Sequence, residues 1–145
     1  MHKYHQGIYK IINKDKYKGD STRIIFRSSW ELKMFQWLDK NPAILWFSSE
    51  EFSINYINPI DNKVHRYFPD ILACVKHKNG SESIYLLEIK PFKQTQPPKQ
   101  KKKTKRFLSE YATYAINCQK WAAADKFCQE KNWIFKLITE HELGL

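Results

Sequence analysis

Asp70, Glu88 and Lys90 are the residues of this 145-residue chain whose types and spacing suit chemistry. The run Ser83-Ile84-Tyr85-Leu86-Leu87-Glu88-Ile89-Lys90-Pro91 reads as one strand, with Ile84 and Leu86 on one face and Tyr85, Leu87 and Ile89 on the other. Both faces are apolar, so the strand belongs in the middle of a sheet covered on both sides. The first face turns charged at its end, with Glu88 and Lys90, and Pro91 stops the strand. Taken alone, an acid and a base at a strand end are as well read as an ordinary ion pair. Asp70 adds to them. It lies in a second strand-like run, Arg66 to Val75, where aspartate is disfavoured. Asn79-Gly80 between the two runs is a hairpin signal. A two-residue Asn79-Gly80 loop sets Ile71 opposite Glu88, whereas a loop of Lys78 to Gly80 sets Asp70 there, with Cβ atoms about 5 Å apart. Two carboxylates that close repel each other unless a cation sits between them. Hard oxygen ligands beside a lysine suit Mg²⁺, with Mn²⁺ as a substitute, better than Zn²⁺.

The elements that must position these residues follow from pattern and punctuation. Ser28 with Glu31 three residues later reads as a capping box opening a helix. Trp30, Met34, Trp37 and Leu38 recur at helical spacing, with Phe35 on the flank, and the helix ends near Asn41-Pro42. Ala43 to Phe47 and Glu51 to Ile57 look extended, and Asn58 to Asn62 is a turn cluster. The second of these strands is expected to form a hairpin with the Asp70 strand, giving an antiparallel three-strand meander that ends on the Glu88 strand. A helix from about Phe107 to Gln129 follows, with Phe107, Tyr111, Tyr114, Ala115, Cys118, Trp121, Ala122 and Cys128 as its apolar face. Trp133 to Ile138 is the last strand, parallel to the Glu88 strand because a helix connects the two. The fold class is therefore α/β.

A chain of this length suits one domain with one moderate core. No segment has the apolar length of a membrane span and no signal peptide opens the chain, so neither a membrane nor secretion is expected. Cys74, Cys118 and Cys128 are odd in number and lack C-x-x-C spacing, which reads as reduced thiols. The formal net charge of +10 is localised: residues 1–27 carry +5 and residues 91–106 carry +7. Two basic stretches on an otherwise balanced chain point to a polyanion partner; the plainer alternative is two solvated tails or loops. Met1 to Asp20 shows no clear period and reads as irregular, and residues 1–27 as a basic arm ahead of a single domain over 28–145. No phosphate-cradling glycine loop appears, so no nucleotide cofactor is expected.

Pro69-Asp70 followed by Glu88-Ile89-Lys90 resembles the signature of the PD-(D/E)XK nuclease superfamily. The order helix, three strands, helix, strand is that of its restriction-endonuclease-like core. Lys16 to Asp20, Arg27 to Glu31, His65 to Asp70 and the Lys120-Trp121 helix further resemble the head completion nucleases of T-even-like tailed phages. The Arg27–Glu31 and Phe68–Asp70 segments also resemble the endonuclease subunit of heteromeric transposases. The resemblance implies that Asp70, Glu88 and the backbone carbonyl of Ile89 hold Mg²⁺, that Lys90 serves the attacking water, and that Glu31 adds a further contact. Glu31 equally has a full explanation as a helix cap. It further implies double-stranded DNA as substrate and one polar residue of the second helix, Lys120 or Asn117, aimed at the scissile phosphate, for which a solvated helix face is the plainer reading. Arg27 and the basic cluster Lys101, Lys102, Lys103, Lys105 and Arg106 are the other candidate DNA contacts, on their charge and position. Portal or neck proteins are the implied partners, and the virion and host cytoplasm the implied location. A DNA-binding plug without catalysis, and a transposase-type or junction-resolving nuclease, remain as other readings.

Overall fold

The computed structural model describes residues 6–50, 52–99 and 103–144. The first strands, β1 (Gly7–Ile8) and β2 (Ile25–Phe26), form a short antiparallel ladder. Helix α1 spans Ser29–Lys40, followed by β3 (Ile44–Ser49), β4 (Ile54–Ile57), β5 (Val64–Tyr67), β6 (Ile71–Lys76) and β7 (Glu82–Ile89). Helix α2 (Lys105–Lys131), β8 (Ile134–Ile138) and the short α3 (Glu140–Leu143) complete the chain. The main sheet has the order β3-β6-β7-β8, antiparallel except for the parallel β7–β8 pair. This is the mixed α/β architecture expected of a restriction-endonuclease-like core.

Its central strand is β7, covered on both faces as its two apolar sides require. Leu87 and Ile89 pack with Met34, Phe35 and Leu38 of α1, and Leu86 packs with Ala124 and Cys128 of α2. The β6–β7 hairpin takes the longer of the two loops. The His77 amide donates to the Ser81 carbonyl at 2.8 Å and the Gly80 amide to the His77 carbonyl at 2.9 Å. Gly80 has φ +89°, a backbone conformation that glycine adopts without a Cβ penalty. The resulting register pairs Ile71 with Leu87, so Asp70 arrives beside Glu88 where the ladder ends.

Several local expectations are corrected. The run Arg66 to Val75 is two strands, because Pro69 lacks an N–H and interrupts the ladder. The strand of residues 54–57 therefore pairs with β5 as a separate two-stranded ribbon, and β3 takes the expected place beside β6. In α1 the inward stripe is Glu31, Met34, Phe35 and Leu38, at i, i+3, i+4 and i+7, which leaves Trp37 52% exposed. In α2 the buried residues are Asn117, Ala124 and Cys128, flanked by Ile116, Ala123 and Phe127. The aromatic stripe Phe107–Tyr111–Tyr114 lies to one side of that line, and Tyr111 is 52% exposed. No residue of the first three turns of α2 is buried.

Residues 6–27 read as part of a basic arm, yet they supply Tyr9, Ile11, Tyr17 and Ile24 to the same core as α1. The lock is Asp39. Its fully buried carboxylate accepts from the Tyr9 hydroxyl at 2.6 Å, the Ile12 amide at 2.8 Å and the Asn13 amide at 3.0 Å. The Lys16 ammonium donates to the carbonyls of Leu38, Asp39 and Asn41 at 2.7–2.9 Å, satisfying acceptors that the end of α1 leaves open.

Candidate active site

Asp70 comes first, because its strand neighbour makes it available. Pro69 stops β5, and Asp70 precedes β6, so its side chain is outside any ladder and accepts from the Ile89 amide at 2.8 Å. This bond fixes a half-buried carboxylate at the end of β7. Glu31 reaches the same point from the first turn of α1. The helix cap explains its position in part: the Glu31 amide donates to Ser28 Oγ at 3.1 Å. The Glu31 carboxylate accepts from the Arg27 amide at 3.2 Å and the Ser28 hydroxyl at 3.3 Å. The reciprocal bond of a capping box thus goes one residue earlier than usual, and one carboxylate oxygen stays available to the site.

A third acid completes the group. One ligand oxygen from each of Glu31, Glu50 and Asp70 lies within 4.8 Å of the others. Glu50 follows β3, has a left-handed φ of 55° and pairs with the Arg27 guanidinium. It was not legible in the sequence, where Glu50 and Glu51 stand side by side and nothing tells which turns inward. Among the described residues, this is the group of acids able to share a cation.

Glu88, expected to share one ion with Asp70, stands beside it where the β6–β7 ladder ends. Its buried carboxylate accepts from the Tyr67 hydroxyl and does not belong to the close group. Tyr67 was also missed; it opposes Ile54 in the ribbon and is buried against α2. Lys120 of α2 sits 5.8 Å from the centres of the Tyr56 and Tyr67 rings, and its charge acts on Glu88. Lys90 is half-buried and stabilises the charged forms of both Asp70 and Glu88. Asn117 is buried one turn before Lys120 in α2. Arg27 faces the acids through Glu50. Lys103, Lys105 and Arg106 are exposed at the start of α2, remote in sequence from the acids, and Arg106 pairs with Glu110 at 3.0 Å. Lys101 and Lys102 lie outside the described residues.

The electrostatics are those of crowded, dry carboxylates. Burial, then the charge of Asp70, raises Glu31 to about 7. Burial likewise raises Asp70 to about 6, against the Ile89 bond and Lys90. Glu88 is raised to about 7, again first by burial. Glu31 and Asp70, held close together at this cost, suit an added positive charge. Their donors are all hard oxygens, which fits Mg²⁺ or Mn²⁺.

A family model described as the TnsA-like endonuclease N-terminal domain matches residues 41–140. The chain is also 40% identical over 136 residues to the head completion nuclease of Enterobacteria phage T4, an alignment covering 90% of this chain and 88% of that protein. No described helix is long and apolar enough to cross a membrane.

Proposed function

This chain belongs to the family of TnsA-like endonucleases, and from that premise we propose that it is a divalent-metal-dependent DNA endonuclease serving head completion in a tailed phage. The observation that carries the reading is the meeting of Glu31, Glu50 and Asp70 within 4.8 Å, with the Lys90 charge acting on the same rim. Glu31, Glu50 and Asp70 would hold the cation, joined by the Ile89 carbonyl, and a bound Mg²⁺ supplies Lewis-acid polarisation of the scissile phosphate. Lys90 orients the attacking water and offsets charge as it develops on the phosphate. The water oxygen forms the new bond to phosphorus, the bond to the 3′ oxygen breaks, and that oxygen leaves with a proton. The products are a 5′-phosphate and a 3′-hydroxyl. Tyr67 keeps Glu88 at the site, where Glu88 faces Lys90 and Lys120. Packaged DNA ends are the substrate and neck or portal proteins the neighbours on this reading, which places the protein in the virion after assembly in the host cytoplasm.

The test is a nuclease assay with metal titration on the wild type, Asp70→Asn and Lys90→Ala. Cutting is expected only with metal, and in neither variant, while both bind duplex DNA with nearly wild-type affinity. Undiminished cutting by either variant refutes the assignment. The match to the TnsA-like domain favours a second reading, a transposase-type or junction-resolving nuclease. Parallel assays on linear, circular and branched DNA separate the two.

A further inference from the structure

The β4–β5 ribbon stands apart from the main sheet and has one face covered and one bare. On the covered face, Ile54, Tyr56 and Tyr67 pack into the cluster that contains Ala124 and Cys128 of α2. The ribbon is thereby held rigid by its inner side. On the bare face, Asn55 is paired opposite Arg66 and Ile57 opposite Val64. Ile57 is 59% exposed, Val64 66% and Phe68, next on the same side, 48%. Such a row of aliphatic and aromatic surface is what a soluble surface avoids unless something meets it.

The chemistry of that face selects what meets it. Arg66 and Asn55 make no side-chain hydrogen bond or ion pair among the described residues, and the Arg66 guanidinium lies 5.6 Å from the Phe68 ring centre. Asp61 at the ribbon tip is already engaged by His65 at 2.8 Å and by the Lys63 amide at 2.9 Å. The bare face therefore offers one cation, Arg66, and one amide, Asn55, and the carboxylate at its tip is already paired. A two-stranded ribbon fits the major groove of B-DNA, where arginine pairs with guanine O6 and N7, asparagine with adenine N6 and N7, and aliphatic groups meet the thymine methyl. The face also lies close to the site along the chain, since Phe68 is two residues before Asp70.

We infer that the bare face of the β4–β5 ribbon enters the major groove beside the scissile bond, with Arg66 and Asn55 contacting base edges and Ile57 and Val64 contacting thymine methyls. This rests on the DNA endonuclease reading and adds that the enzyme selects sequence next to its cut.

The experiment uses the full chain and a duplex library randomised on both sides of a labelled centre, with cut ends sequenced in Mg²⁺ and duplex affinity measured in EDTA. The wild type is expected to show base preferences a few positions from the cut. The double variant Asn55→Ala/Arg66→Ala is expected to flatten them and to weaken duplex binding by roughly 10-fold or more, with its melting temperature unchanged. A duplex carrying 7-deazaguanine, which lacks the N7 acceptor of the major groove, is expected to weaken the wild type and leave the Arg66→Ala variant unaffected. A wild type that cuts without base preference, or a double variant with wild-type preference and affinity, overturns the inference while the endonuclease reading stands. If the double variant melts early, the 7-deazaguanine arm on the wild type decides, and insensitivity there overturns the inference. A wild type that neither cuts nor binds duplex DNA defeats the endonuclease reading itself.

Discussion

Glu31 belongs to two structures at once: it caps α1 through its backbone amide and lends its carboxylate to the site. The two roles conflict in the absence of metal. Its folded pKa of about 7 stands above the roughly 4 of an unfolded glutamate. The folded state therefore holds the proton more tightly than the unfolded chain between these values. Stability from this group is present at low pH and is lost as pH rises through about 7. Asp70 and Glu88, raised to about 6 and 7, act in the same direction. Metal-free Glu31→Gln and Asp70→Asn should thus melt above the wild type at pH 8, and the gap should shrink by pH 5. Mg²⁺ should raise the wild-type melting temperature at pH 8 and raise neither variant as much. Thermal melts in EDTA and in Mg²⁺ check this, and variants that melt below the wild type at pH 8 would contradict it. Tyr67 gives a second case. Tyr67→Phe removes the donor to Glu88 while keeping the ring against α2. It is expected to retain the fold, raise the Mg²⁺ needed for half-maximal cutting and lower the rate several-fold. A metal titration identical to wild type would reduce the Tyr67 contact to packing.

At the scale of elements, the N-terminal segment and α1 depend on one buried carboxylate. Burial works to raise the Asp39 pKa, but bonds from Ile12, Tyr9 and Asn13 outweigh it and hold the group below its usual range. An acid depressed in this way contributes stability that is present above about pH 4 and lost as pH falls through its folded value. Asp39→Ala leaves the Tyr9 hydroxyl and two amides without their acceptor, at a cost of about 2–5 kcal/mol. The release of residues 6–27 should appear as faster amide exchange at Ile12 and Asn13, with β6 and β7 still protected. Equal loss of protection throughout would show that the segment and the sheet unfold as one unit. Elements of this kind differ in how legible they were. The β6–β7 hairpin and the start of α1 are written in local chemistry, in Asn79-Gly80 and in Ser28 with Glu31. The partner of β4 is not, because Pro69 splits one apolar run into two strands and only tertiary packing decides which of them joins the sheet. Trp37 and Phe35 are equally apolar as letters; the phase of the helix, which lines Phe35 up with Glu31, Met34 and Leu38, turns Phe35 inward. Glu50 was invisible for a related reason, since its approach to Asp70 depends on where β3 ends and how Arg27 holds it.

On the scale of the whole molecule, the charge is divided between two stretches, and the described part of the first, residues 6–27, folds into the core. Residues 1–27 carry +5, but Lys16 is spent on helix carbonyls and Arg27 on Glu50. Residues 91–106 carry +7 without an acid, and Lys103, Lys105 and Arg106 are exposed where α2 begins. Cations at a helix N-terminus oppose its dipole, so helix stability does not account for them. The exposed Arg106–Glu110 pair contributes little on its own. If the cluster grips phosphates, each contact releases counterions, and the slope of log affinity against log salt carries about 0.9 per phosphate neutralised. Lys103→Ala/Lys105→Ala should therefore lower that slope by up to about 1.8 and weaken binding equally for all sequences. Arg66→Ala differs in kind: it should change base preference more than the salt slope. Titrations of both variants from low to moderate salt distinguish a cation that positions DNA from one that reads it. An unchanged slope in the lysine variant would show that Lys103 and Lys105 do not neutralise phosphates.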